Sequence, residues 1–155
     1  MNNEKKAPVR QIKSRGLRVD GKGWVYGSLI NNCFVVAKTK QPALYIFNPD
    51  ECDNTDCWED YTDGYGYYEV IPETVGQFTG LIDKNGKDVY EGDKLKIGDT
   101  IGFVVIWYEE AFAFMIAEVD DQKNCVPVSW FSDKAHDQPV EIIGNIHKES
   151  EVTNG

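Results

Sequence analysis

Apolar residues in this chain come in short runs that alternate with polar ones, and no stretch sustains an apolar period of 3.6. Runs rich in Val, Ile, Phe, Tyr and Trp are separated by clusters of Gly, Asn and Asp, which is the pattern of strands and turns. The predicted strands are 11–19, 24–30, 33–38, 43–47, 65–71, 77–82, 94–97, 103–108, 111–119, 126–130 and 140–147. Turn chemistry stands at Asp20-Gly21, Asn31-Asn32 and Asn85-Gly86, the last being the preferred pair for a type I′ hairpin. Phe103, Val105 and Trp107 alternate with Val104, Ile106 and Tyr108, and Phe112, Phe114 and Ile116 alternate with Ala113, Met115 and Ala117. Both faces of that pair are apolar, so joined at Glu109-Glu110 it suits a small closed barrel whose outer face meets another layer. Helix is expected only as a turn at 72–75 and one or two turns within 129–135. The expected class is mostly β, with α+β as the alternative.

Composition narrows the classes. The chain has 155 residues, 41% of them apolar, enough for one ordinary domain or two very small ones with a core. Four cysteines are too few for a disulfide scaffold, and neither the Cys52 and Cys57 spacing nor Cys33 and Cys125 match a zinc ribbon or finger. The longest apolar run, Ile101 to Tyr108, is far short of the roughly 20 residues that cross a bilayer. The opening MNNEKKAPVRQIK carries no apolar h-region, so the expectation is a cytoplasmic protein without a membrane segment.

Charge is distributed unevenly. Residues 1–48 hold nine Lys and Arg against two acids, +7, while residues 49–155 hold seven Lys against 24 acids, −17, together the −10 of the chain. Two readings of Lys5, Lys6, Arg10, Lys13, Arg15 and Arg18 follow: a basic arm packed on an acidic body, or a footprint for nucleic-acid phosphates. The net charge favours the first.

The densest acidic stretch, DECDNTDCWEDYTDGYGYYE from Asp50 to Glu69, has eight acids and no base, with aromatic residues interleaved. A calcium loop needs Gly at its sixth position, but counting from Asp53 that place is Trp58 and from Asp56 it is Tyr61. Rigid aromatics in a polar setting suit recognition instead, and the candidate partner-binding residues are Asp56, Trp58, Glu59, Asp60, Tyr61, Tyr65 and Tyr67. An irregular carboxylate cation site and a plain solvated insertion are the other readings. The partner expected is a protein, basic in charge, or a second copy added along a basic edge strand at 11–19.

Residues 73–96, ETVGQFTGLIDKNGKDVYEGDKLK, with VEIIGNIHKESE near the end and RQIKSRGLRVDGKGWVYGSLI near the start, closely resemble the YopX family of phage and prophage proteins. The resemblance covers nearly the whole chain and is weakest between about residues 38 and 67. It implies an SH3-like barrel in the C-terminal half and a bacterial-host cytoplasm, and it carries over no activity and no site residue. The implied organisation is a β-rich region at 1–76 with the acidic-aromatic insertion at 48–66, the barrel at 77–150, and a fraying tail at 151–155. Gly80 and Gly86 would permit turns, Tyr90 would anchor, and Gly92-Asp93 would break one strand and open the next.

Catalytic patterns are sparse. No Gly-x-Ser-x-Gly elbow and no phosphate-cradling loop occur. His136 is expected in an exposed loop and His147 to be neutral and solvent-facing at the end of the last strand. Asp83 with Asp88, or Asp93 with Asp99, would support metal-assisted chemistry if brought together, but turn and cap roles explain them more simply. The expectation is therefore an accessory protein that acts by protein binding or self-assembly, not an enzyme, with no cofactor. Nucleic-acid binding through the N-terminal segment is the first alternative, and a metal-dependent carboxylate enzyme the second.

Overall fold

The computed structural model describes residues 10–31, 44–52, 65–132 and 138–147. Among them the chain is almost wholly β, in two antiparallel sheets with no α-helix. The strands are β1 (Ser14–Leu17), β2 (Trp24–Asn31), β3 (Leu44–Cys52), β4 (Tyr65–Val70), β5 (Gly76–Ile82), β6 (Asp88–Tyr90), β7 (Asp93–Ile97), β8 (Thr100–Tyr108), β9 (Ala113–Glu118), β10 (Cys125–Pro127) and β11 (Val140–Asn145). Three 3-10 turns, Pro72–Thr74, Glu109–Ala111 and Val128–Phe131, join them. The strand predicted at 33–38, Asn32, His136 and the tail lie outside the described residues.

The first sheet runs β4-β3-β2-β1-β5-β6 and the second β10-β9-β8-β7-β11. Long β2 serves two neighbours, pairing Trp24 to Gly27 with β1 and Ser28 to Asn31 with β3. The end of β4 then returns to the end of β1: Arg18 bridges Val70, and the Ile71 N–H donates to Leu17 O at 2.8 Å. This curl encloses Val25, Ile46 and Val70, with Leu44, Tyr68 and Val75 packed around them. The larger core gathers Leu81, Val89, Leu95, Ile97, Val105, Ile116, Val128 and Val140, so β5 and β6 pair in the first sheet while contributing apolar side chains to the second. Each such side chain is worth about 1.5–3 kcal/mol when fully buried. Val104 and Met115 are buried as well as Val105 and Ile116, so the β8–β9 pair is covered on both faces as its alternation requires.

Four expectations change. No closed barrel is found among the described residues: Pro127 has no N–H to extend β10, the chain turns into 3-10 geometry at Val128, and β10 and β11 remain unpaired edges. The basic strand at 11–19 is not an edge, because β1 lies between β2 and β5 with all four residues buried. Asn85 keeps a negative φ, so the β5–β6 turn is not type I′; Gly86 N–H closes on Asp83 O, and Gly86 alone is left-handed. The Glu109–Ala111 turn delays β9 to Ala113.

The D-K-N-G-K turn is pinned by its first residue. Asp83 Oδ1 accepts the N–H groups of Asn85 and Lys87, each at 2.9 Å, and Oδ2 accepts the Ile142 N–H at 3.2 Å, tying the β5–β6 turn to β11. Burial alone would raise the pKa of this carboxyl, but those backbone donors outweigh it and hold it below its ordinary value of 3.8. A folded pKa below the unfolded one gives stability that is full above the unfolded value and is lost as pH falls through the folded value. Asp83→Ala is therefore expected to cost about 2 to 3 kcal/mol at neutral pH in urea denaturation. The gap to the unmodified chain should narrow below about pH 4.

Candidate functional site

Of the predicted partner-binding residues, Asp56, Trp58, Glu59, Asp60 and Tyr61 lie outside the described residues. Tyr65 opens β4. Tyr67 is half-buried, and its ring packs on Phe47 at 4.8 Å between centroids, so part of it serves the sheet.

An acidic-aromatic surface that sequence reading missed stands at the β8–β9 turn. Trp107 is 44% exposed and Phe112 81%, with the exposed carboxylates of Glu109 and Glu110 between them. Trp107 packs edge-on against Phe114 with centroids 5.0 Å apart, and the Tyr108 hydroxyl donates to Glu110 Oε2 at 3.0 Å. That hydrogen bond to Glu110 raises the phenol pKa above its ordinary value. Phe112 has φ 49° and ψ 43°, the one non-glycine residue with positive φ among those described. The signal was present in the sequence: Tyr-Glu-Glu-Ala-Phe contains no Gly, Asn, Asp or Pro, so a tight reversal there forces an ordinary residue into the left-handed region.

The basic arm takes a different role. Lys13 pairs with Asp88, Arg15 with Asp93 at 2.7 Å, and Arg18 with Asp20 at 2.5 Å while its guanidinium lies over the Tyr68 ring at 4.1 Å. Arg10 is exposed, and Lys5 and Lys6 lie outside the described residues. Arg15 is the deepest of these cations. Its guanidinium sits over the Trp24 ring at 4.5 Å and the Tyr90 ring at 4.9 Å, and Nη2 also donates to Glu91 O at 3.2 Å. Asp93 Oδ2 accepts the Tyr90 N–H at 2.8 Å, and Asn145 Nδ2 donates to Oδ1 at 3.4 Å. Above this cluster opens a cleft of about 560 Å³, bordered by Lys13, Tyr26, Lys87 and Asp88.

Burial, then the nearby Asp88 carboxylate, push the Tyr90 phenol up to about 12, so it is a protonated donor at neutral pH. Burial, then Arg15, lower the pKa of His147, which is half-buried with its ring 6.2 Å from Trp24. It packs against the body, where the expectation had it facing solvent. Asp83, Asp88 and Asp93 each serve a turn or an ion pair, and Asp99 is exposed; no group of three metal-ligating side chains gathers among the described residues.

A family model described as YopX protein matches residues 18–153. No curated protein matches the chain.

Removing one partner of a buried ion pair leaves the other charge uncompensated. Arg15→Met is expected to lower stability by about 3 to 5 kcal/mol, whereas Asp93→Asn in that background should cost far less than in the unmodified chain. A urea double-mutant cycle reads the coupling.

Proposed function

The chain belongs to the YopX family, and we propose that it works by binding a cationic protein partner on the acidic-aromatic tip of the β8–β9 hairpin, not by catalysis. The observation that carries this reading is Phe112, a large apolar side chain left 81% exposed on a left-handed backbone. Left-handed geometry costs an ordinary residue roughly 1–2 kcal/mol, and an exposed ring returns little of that through burial. Strain held by a residue that gives the fold so little points to use outside the fold. Exposed Trp107 near the end of β8 supplies rigid contact area, and Glu109 and Glu110 favour a partner rich in Lys or Arg. The five-stranded sheet reads best as an SH3-like barrel left open at one side, with the Val128–Phe131 turn carrying Val128 into its core.

Nucleic-acid binding by the N-terminal segment is the weaker reading. Phosphate contacts need free cations, and Lys13, Arg15 and Arg18 are paired with carboxylates of the same chain. From Phe78 onward seven Lys stand against 15 acids, which repels phosphate further.

The two roles of Phe112 separate in one experiment. Phe112→Gly relieves the left-handed strain and is expected to raise the melting temperature by about 2–4 °C. The same variant, and Trp107→Ala, should lose capture of a Lys/Arg-rich partner from host lysate. A variant that melts higher and captures the same partners overturns the role of the tip.

A further inference from the structure

We propose that the cavity between the two end strands of the second sheet is a binding site for a small organic cation, an arylalkylammonium whose apolar body enters the cavity while its ammonium stays at the mouth on Glu118. The site lies at the other end of the β8–β9 pair from the Glu109–Ala111 turn, and it stands or falls separately from the reading given for that turn. At about 470 Å³ the cavity falls within the size range of small-molecule sites. Its wall runs from Cys125 and Val126 in β10 to Gln138 just before β11, and these two end strands do not pair with each other.

The pleat supplies the first pointer. Directly opposed residues of an antiparallel pair share a face, and Phe103 stands opposite both Leu95 in β7 and Glu118 in β9. Glu118 therefore occupies the face that carries the larger core, two residues beyond buried Ile116. An apolar residue would continue that face, but a carboxylate stands there instead. The Asn124 amide steadies it, with Nδ2 donating to Oε1 at 2.8 Å, and it makes no ion pair among the described residues. Both Glu118 and Asn124 are exposed, so the carboxylate is within reach of a ligand without rearrangement.

Charge and lining select the ligand. Among the described residues that line the cavity, Glu118 alone is charged. Lys94 and Lys96 alternate onto the opposite face of β7 from Leu95 and Ile97. The stretch from Glu118 to Asn124 holds three acids, Glu118, Asp120 and Asp121, against Lys123, a net −2. An anion is repelled there, and a neutral molecule gains nothing from the carboxylate. Away from the mouth the lining is apolar: buried Ile97 and Ile116, half-buried Phe103 and Phe131, and Trp130, which is 51% exposed. Aromatic side chains pack well with a flat ring and attract a cation to their faces.

The test is an NMR titration of the full chain with phenethylammonium, phenethyl alcohol and hydrocinnamate, which share one apolar body and differ in charge. Phenethylammonium should shift the Trp130 indole and Cys125 amide signals saturably, with a dissociation constant on the order of 1 mM. It should bind about fivefold more tightly than the alcohol, the scale of a solvent-exposed charge pair, and hydrocinnamate should bind more weakly than either. Glu118→Gln keeps an acceptor for Asn124, and it should bring the ammonium to within about twofold of the alcohol while leaving the alcohol unchanged. No saturation by roughly 50 mM, equal binding of the three ligands, an unchanged preference in Glu118→Gln, or shifts centred on Trp107 instead of Trp130 overturns the site. Tighter binding of hydrocinnamate overturns the assignment of a cation.

Discussion

The Arg15 guanidinium and the Asp93 carboxylate lie 2.7 Å apart with almost no solvent on either, and removing each charge from water costs several kcal/mol. Such a pair persists only where neighbouring groups supply most of the hydrogen bonding, and here they do so for every group except the Arg15 Nε–H. Two aromatic rings face the guanidinium, Glu91 O takes a second bond from Nη2, and the Tyr90 N–H and Asn145 amide reach the carboxylate. Arg15 stands in β1, the interior strand where β2 and β5 meet, and Asp93 opens β7, the interior strand where β8 and β11 meet. The pair thus joins the inner parts of two sheets across 78 residues of sequence. Neither sheet can shift against the other without stranding a charge.

This constraint explains why the Y-E-G-D and E-I-I-G-N segments occur together. Asp93 and Asn145 are hydrogen-bonded, and Gly92 and Ile146 meet through the Ile146 N–H to Gly92 O at 3.0 Å. The E-T-V-G segment serves the same junction: Thr74 Oγ1 accepts the Leu17 N–H at 2.9 Å and donates to Ile71 O at 2.7 Å. A Cβ on Gly76 would lie 2.7 Å from Glu91 O, so only glycine lets β5 approach the corner that carries Asp93. The motifs are ties between distant segments, and the side chains that make the ties, Thr74, Asp93 and Asn145, are buried. It also explains the charge split. Lys13–Asp88 and Arg18–Asp20 are partly exposed pairs of a kind worth about 0–1 kcal/mol, so they matter less for stability than for taking cations away from outside partners.

Period-two alternation made most of the architecture legible, because a strand buried on one or both faces must write that fact in its side chains. β2, β4, β5 and β7 fall within a residue or so of their predicted limits, and β8–β9 is apolar on both faces because both are covered. What failed was information that lies in pairing. β1 looked like an edge because it carries cations, and edges favour charge. Only Asp93, far along the chain, makes a buried Arg15 tolerable in an interior strand. Three-residue β6 is too short to show a period, and its place depends on β5 and Lys13. The barrel was inferred from apolar faces, but closure depends on backbone donors, and Pro127 removes one where β10 would have to continue. Most of the predicted aromatic site lies outside the described residues, and the exposed tip was missed because it arises from the geometry of a turn.

The tip and the junction show opposite relations between a residue and the fold. At the junction, polar and charged groups are buried and nearly every one has several partners, so substitution there is expected to act first on stability. At the tip a large apolar ring is exposed, its backbone is strained, and the neighbouring carboxylates face solvent. A glycine at position 112 would satisfy the turn at lower cost, since the left-handed region is open to it. Folding therefore cannot be the reason for phenylalanine there, while an interaction that buries the ring supplies one.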